Sequence, residues 1–267
     1  MPQPSARTAL VTGASSGIGR AVTAVLVERG HRVVGTSRKP ETITDPVPGV
    51  EYVALDLADE ASVKACAEHV GAVDVLVNNA GESQSGPFEE LPGAAVERLF
   101  RINVFGAVRL TQLVLPGMRE RGYGRVVMVG SMLASFPLAY RSSYVASKAA
   151  VKGFANALRR EVAPYGVGVS TVEPGSINTG ISERRTQYLR EDSPFRGEYR
   201  TMLSALDTNE SRGISAERVA GTVLRAIEAP TPRPLYAVGS NAPVVFALRR
   251  LFPRSLMLRI VARKHGL

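Results

Sequence analysis

Cysteine is nearly absent: Cys66 stands alone among 267 residues, which excludes an internal disulfide framework and a cysteine-rich zinc site. Histidine is scarce too, and His31, His69 and His265 are scattered without ligand spacing, so no metal centre is expected. No stretch approaches the roughly 20 apolar residues of a membrane-spanning helix. The opening Met-Pro-Gln-Pro-Ser-Ala-Arg has no apolar signal core. These absences predict a cytoplasmic protein made in a reducing compartment. Acidic residues are missing from the last part of the sequence, where Ala229 to Leu267 holds seven Lys or Arg and no Asp or Glu. Only two of the nine net positive charges therefore belong to the preceding 228 residues. The basic segment has no base-reading motif and no aromatics interleaved for stacking, so nucleic acid is not an expected partner.

What is present is an ordinary globular composition, 45% hydrophobic and 21% charged, enough for one large α/β domain with a buried core. Short β-branched runs that end in turn residues predict strands at 7–12, 31–36, 50–55, 74–77, 125–129, 167–172 and near 234–238. Longer apolar periods predict helices at 17–29, about 59–70, 142–164 and 216–229. A further helical region over 92–121 is expected to break near Asn103 or Gly106. Residues 180–213 are polar, Arg-rich and weakly periodic, and predict a mobile loop with short helices; 241–267 reads as a basic tail of two helices. Strands alternating with helices of this length imply right-handed crossovers and a doubly wound parallel sheet with helices on both faces.

The first strand runs directly into Thr12-Gly13-Ala14-Ser15-Ser16-Gly17-Ile18-Gly19, which opens a helix. Glycines allow a tight turn and a close approach to a pyrophosphate, while the helix N-terminus offers unpaired N–H groups and the positive end of its dipole. A Walker-type loop is excluded, because Arg20 follows the last glycine where Lys-Ser/Thr is needed. The whole of 1–267 is therefore expected to be a single-domain Rossmann fold with a helical C-terminal extension. An NAD site usually places an acid at the end of the second strand. Here no acid lies between Glu28 and Glu41. Ser37, Arg38 and Lys39, with Ser16, could instead hold a 2′-phosphate, which favours NADP(H) over NAD(H).

Tyr144 and Lys148 open a predicted helix at a spacing of i and i+4, which puts phenol and ammonium on one face. An ordinary phenol, with a pKa of about 10, is a poor acid–base group at neutral pH, and a nearby cation lowers that value. Ser131 lies thirteen residues earlier, at the end of a predicted strand, where it could equally cap a turn.

With these elements the chain resembles the short-chain dehydrogenase/reductase superfamily. The likeness rests on Thr-Gly-Ala-Ser-Ser-Gly-Ile-Gly at 12–19, Leu55-Asp56-Leu57, Asn78-Asn79-Ala80-Gly81, Ser131 with Tyr144 and Lys148, and Pro174-Gly175. It implies hydride transfer between nicotinamide and a carbonyl or alcohol carbon. Tyr144 would exchange the proton, Lys148 would bind the nicotinamide ribose and lower the phenol pKa, and Ser131 would hold the substrate oxygen. Asn103 would hold a water in the proton relay. The resemblance assigns cofactor contacts to Gly13, Ser15, Ser16, Ile18, Gly19, Ser37, Arg38, Asp56, Leu57, Asn79, Ala80, Gly81, Lys148, Pro174, Gly175, Ile177 and Thr179. Asp56 could also be a helix N-cap, and Asn78 and Asn79 could tie strands together. Glu173 departs from the common Asn before Pro-Gly, a departure also seen in the hydroxysteroid and retinol dehydrogenase-like branches, which the C-terminal arrangement resembles as well.

Substrate contacts are expected from Ser131, Leu133, Phe136, Tyr140 and Tyr144 and from the loop after Thr179. These residues are largely apolar and favour an apolar ketone, aldehyde or secondary alcohol that is steroid-, retinoid- or lipid-like, although Phe136 and Leu138 could simply fill core. Reduction of small or acyl substrates, and a silent dinucleotide-sensing protein, are the alternatives; joint retention of Ser131, Tyr144 and Lys148 speaks against silence. The resemblance also implies a homodimer or homotetramer. The tail from Leu248 to Lys264 mixes apolar residues with arginines, so it either packs on the protein or makes peripheral contact with an anionic membrane.

Overall fold

The computed structural model describes residues 6–178, 180 and 184–267. The first four strands are β1 (Thr8–Val11), β2 (Arg32–Ser37), β3 (Val50–Ala54) and β4 (Val75–Asn78), with α1 (Gly17–Glu28) and α2 (Glu60–Val70) between them. A two-residue strand, β5 (Gln84–Ser85), precedes α3 (Gly93–Phe100), a π-helical turn at Arg101–Gly106, and α4 (Ala107–Glu120). Then come β6 (Gly124–Val129), α5 (Ser142–Val162), β7 (Val167–Pro174) and the short β8 (Thr186–Gln187). The chain finishes with α6 (Arg196–Ser211), α7 (Ala216–Glu228), β9 (Leu235–Val238), α8 (Ala242–Leu251) and α9 (Arg254–Lys264).

Seven strands form one parallel sheet in the order β3-β2-β1-β4-β6-β7-β9, as the alternation of elements predicts. Successive strand residues point to opposite faces. Leu10, Val34, Leu76, Val126 and Met128 pack on one face with Val63, Leu110 and Val151 from α2, α4 and α5. Val11, Val33, Val75, Val77 and Val127 pack on the other with Val22, Leu26, Val219 and Val223 from α1 and α7. Burial on both faces explains why these strands read as continuous apolar runs. Strand order reverses between β1 and β4, and in open α/β sheets ligands bind beyond the carboxyl ends of the strands at such a point.

The helical region over 92–121 breaks where expected, at a π-helical turn that contains both Asn103 and Gly106. A Cβ on Gly106 would lie 2.3 Å from the Leu57 carbonyl oxygen, so glycine lets this turn approach the connection between β3 and α2. The span 180–213 differs from expectation, because it carries the 16-residue α6 rather than short helices. Its apolar stripe consists of Tyr199, Met202 and Leu206, spaced i, i+3 and i+7 and buried against Leu138. Three buried apolar side chains in a largely polar helix are too few to make the period obvious.

The tail does fold as two helices, and it packs inward: Ala242 and Met257 join Met132 and Phe136, whose ring meets Phe246 edge-on at 5.0 Å. Among the described residues no helix is long and apolar enough to cross a membrane.

Glu173 closes a buried ionic cluster. Its carboxylate is fully buried, Lys152 Nζ lies 2.8 Å from Oε1, and the Ser135 hydroxyl donates to Oε2 at 2.8 Å. Lys152 also donates to Ser135 Oγ at 2.6 Å, so α5, β7 and the segment after Ser131 are fastened together. Removing one partner strands a buried charge, which is far costlier than never having had the pair. Lys152→Met should therefore lower unfolding free energy by about 3 kcal/mol, and Lys152→Met/Glu173→Gln should recover part of it. Equal urea midpoints for wild type and the single variant would refute the cluster's structural role.

Candidate active site

The site begins where β1 gives way to α1. Gly13 and Gly17 both have positive φ, at 66° and 53°, and a Cβ on Gly19 would sit 2.1 Å from the Gly13 carbonyl oxygen. No side chain caps the first turn of α1, and no acid occupies it, so its N–H end faces the crevice uncompensated. The floor is tied to β4 through Thr12. Its Oγ1 accepts from the Asn79 and Ala80 N–H groups at 2.9 and 3.0 Å, and Asn79 Nδ2 donates back to the Thr12 carbonyl at 2.9 Å.

The carboxyl ends of β2 and β3 form the next wall. Arg38 is 67% exposed at its side chain and faces Glu82 at 3.7 Å, beside the closer Arg98–Glu82 pair at 2.6 Å. Ser37 Oγ accepts from the Lys39 N–H at 3.3 Å. Asp56 is not the α2 cap. That role belongs to Asp59, whose Oδ1 accepts from the Ala61 N–H at 3.0 Å, whereas Asp56 turns the chain by accepting from Ala58 N–H at 2.9 Å.

The reactive end is set by β6 and α5. Ser131 does cap a turn, with Oγ accepting from Leu133 N–H at 3.2 Å, and it lines the same cavity as Tyr144. Lys148 Nζ donates to the Val129 carbonyl at 3.0 Å and lies 5.9 Å from the Tyr144 ring centre. Burial pushes the Lys148 ammonium down to about 8. The Tyr144 phenol is shifted upward, opposite to the expectation from the Tyr/Lys spacing, because burial outweighs the opposing pull of Arg141 and the Ser131 hydroxyl. Arg141, three residues before Tyr144, places its guanidinium carbon 4.5 Å from the ring centre and donates to Ser83 Oγ at 3.0 Å.

These residues share a cavity of about 880 Å³, within the range of small-molecule sites. It is lined by Gly13, Ser15, Ser16 and Ile18, then Ser37, Arg38, Asp56 and Leu57, and by Asn79 to Gly81 on its floor. Ser131, Leu133, Phe136, Tyr144 and Lys148 line its reactive end, with Pro174, Gly175 and Ile177 alongside. Four expected residues stand apart. Gly19 is buried under the turn rather than lining the cavity. The Asn103 amide is spent on Glu82, donating to its carbonyl at 3.0 Å and accepting its N–H at 2.8 Å, and it donates to Ser147 Oγ at 3.1 Å. Tyr140 lies outside the cavity lining because its ring packs on Phe195 and Tyr199, with centre separations of 6.4 and 5.7 Å. Thr179 falls outside the described residues.

Several lining residues carry no sequence signal. Val245, Met257, Ile260 and Val261 come from the tail, and Leu206 from α6. Only long-range packing brings them to the strand ends. The volume of the cavity, the uncapped helix end and the glycine cradle all fit a dinucleotide.

A family profile described as short chain dehydrogenase matches residues 7–189. The chain belongs to the short-chain dehydrogenase family. It is 30% identical over 260 residues to a 3-ketodihydrosphingosine reductase from Bacteroides thetaiotaomicron, covering 95% of this chain and 96% of that one. A solved short-chain dehydrogenase from Streptomyces avermitilis superposes with a TM-score of 0.82 at 36% identity, covering 94% of this chain and 93% of its counterpart. Another from Burkholderia cenocepacia, in complex with NADP, gives 0.77 at 28% identity, covering 96% and 97%.

Burial of Lys148 has a consequence for stability. Above its folded value of about 8 the native state releases a proton that the unfolded chain still holds, so stability rises with pH. Tyr144 acts oppositely, but only above the ordinary phenol value of about 10. Between these limits wild type should gain about 2 kcal/mol relative to Lys148→Met. Urea titrations across that range measure the difference, and parallel stability curves would rule out a burial-depressed ammonium.

Proposed function

We propose that this short-chain dehydrogenase is an NADP(H)-dependent oxidoreductase that interconverts apolar ketones or aldehydes with alcohols. One observation carries the reading: Tyr144 and Ser131 open on the same cavity as the glycine turn and Arg38. Gly13, Ser15, Ser16 and Ile18 would cradle the pyrophosphate. Ser37 and Arg38 would hold the 2′-phosphate, with Arg38 leaving Glu82 to do so. Asp56, Leu57, Asn79, Ala80 and Gly81 would flank the adenosine half, and Pro174, Gly175 and Ile177 the nicotinamide half. Bound nicotinamide supplies or takes up the hydride.

In the reducing direction Tyr144 gives its proton to the carbonyl oxygen and regains one from solvent; in oxidation it accepts the hydroxyl proton. Ser131 holds that oxygen against the phenol and stabilises its developing charge. Lys148 binds the nicotinamide ribose. Asn103, with its amide committed to Glu82 and Ser147, steadies Glu82 in the cavity wall, so a relay water would not be held by that amide. Leu133, Phe136 and the tail side chains favour an aliphatic, steroid-like or retinoid-like substrate, in keeping with the 3-ketodihydrosphingosine reductase named among the relatives.

The exposed Phe105 and Phe154 suit a homodimer or homotetramer interface. The tail also presents Leu251, Phe252 and Leu256 to the outside beside Arg249, Arg250, Arg254 and Arg259, which suits peripheral contact of a cytoplasmic enzyme with anionic lipid. Because the inner side of the tail covers the cavity, exchange of Phe252 and Leu256 for Ser tests this better than truncation. Flotation with phosphatidylglycerol vesicles, but not phosphatidylcholine, should be lost in that variant.

Tyr144→Phe should lower NADPH-coupled reduction of a medium-chain ketone by roughly 10²-fold or more while NADPH still binds. Unchanged turnover would remove Tyr144 from the chemistry. Arg38→Ala should weaken NADPH binding by about tenfold or more and leave NADH binding nearly unaltered. Tighter binding of NADH than NADPH by the wild type would overturn the cofactor assignment.

A further inference from the structure

Arg141 is the least compensated charge in the catalytic region. It is 3% exposed, yet among the described residues no carboxylate lies within ion-pair distance of its guanidinium. Nη2 donates to Ser83 Oγ at 3.0 Å, whereas Nε and Nη1 have no hydrogen-bond acceptor among the described residues. Such an arrangement is expensive, since buried charges ordinarily come paired and buried N–H groups come satisfied. Departures of this kind concentrate where function requires them.

The guanidinium has one close face contact, the ring of Tyr144 at 4.5 Å. The spacing i, i+3 across the first turn of α5 puts the two side chains together. Lys148 is farther from that ring, and its ammonium is engaged by the Val129 carbonyl. The other charges facing the pair are Arg185, just before β8, and Glu210 of α6. Arg185 is already held by Asp207 and Glu210, and Glu210 adds a negative field that works against a phenolate. Tyr199 from α6 faces Arg141 as well, and its phenol hydrogen-bonds Ser85 at 2.8 Å. Burial lowers Arg141 to about 10, which still leaves it charged at neutral pH.

We propose that Arg141 is a positioning residue for the reaction: its stacked guanidinium holds the Tyr144 ring in place and stabilises negative charge on the phenol oxygen. Lys148 is thereby free to serve the ribose. Ser83 completes the device by fixing the guanidinium plane, which ties the segment before β5 to α5. This proposal rests on the reading of Tyr144 as the proton-exchanging group, but the hold of Arg141 on the phenol is measurable by itself.

The test is the tyrosinate absorbance titration of the full chain, with Tyr144→Phe subtracting the other tyrosines. In Arg141→Met the Tyr144 transition should move upward by about one pH unit or more. Arg141→Lys, which keeps a charge, should restore part of the shift, and Ser83→Ala should produce a smaller upward move. The acidic limb of kcat/KM for NADP⁺-linked oxidation of a medium-chain secondary alcohol should move in the same direction. A Tyr144 transition in folded Arg141→Met that matches wild type would falsify the proposal. If Arg141→Met does not fold, the other two variants decide: wild-type titration in both Arg141→Lys and Ser83→Ala overturns it equally. Unchanged turnover in Tyr144→Phe sinks the reaction scheme instead, and leaves the absorbance result standing.

Discussion

The bonds from Thr12 to the neighbouring strand end fix everything that follows. One hydroxyl receives two backbone N–H groups from Asn79 and Ala80, just past β4, and the Asn79 amide returns to the Thr12 carbonyl. These contacts join the two strands between which the sheet reverses its order. With that junction closed, the glycine turn and the Asn79–Gly81 segment form one surface and not two loose loops. The seven parallel strands then deliver the remaining groups to the same edge. β2 and β3 bring Arg38 and Asp56, β6 brings Ser131, and β7 brings Pro174 and Gly175.

A second constraint is electrostatic. Glu173, Lys148, Arg141 and Arg185 are all buried, and each is managed differently. Glu173 is neutralised by Lys152, and Arg185 by two carboxylates. Lys148 answers burial by binding its proton more weakly. Arg141 has only a serine hydroxyl and the face of an aromatic ring. The structural charges are thus paired, while those beside Tyr144 are left with unspent attraction.

How much could be read from the amino-acid order follows from how local each feature is. The glycine turn lies within eight consecutive residues, and Tyr144 and Lys148 share one helical turn, so both are visible without a fold. The break at Asn103 and Gly106 was legible because asparagine and glycine interrupt an otherwise helical pattern, although its π-helical form was not. Arg141 also lies near in sequence, but an arginine before a helix reads as a solvated turn residue; only burial reveals it. The Glu173 cluster joins residues 135, 152 and 173, and no periodicity connects them. Tyr140 misled because its neighbourhood is apolar, and its ring turns toward Phe195 and Tyr199. Helix α6 was hidden by the small number of its apolar contacts.

The wall supplied by α6 and the tail lies beyond the region matched by the family profile, which ends at residue 189. Under the proposed function, part of the substrate wall is therefore encoded apart from the stretch that carries Ser131, Tyr144 and Lys148. That stretch can stay fixed while the wall drifts, since replacing a methyl or a ring at Leu206, Met257 or Val261 reshapes the chamber without disturbing a single proton-carrying atom. Diversification in such a scaffold would need no new proton carrier, only different side chains in α6 and the two helices after β9.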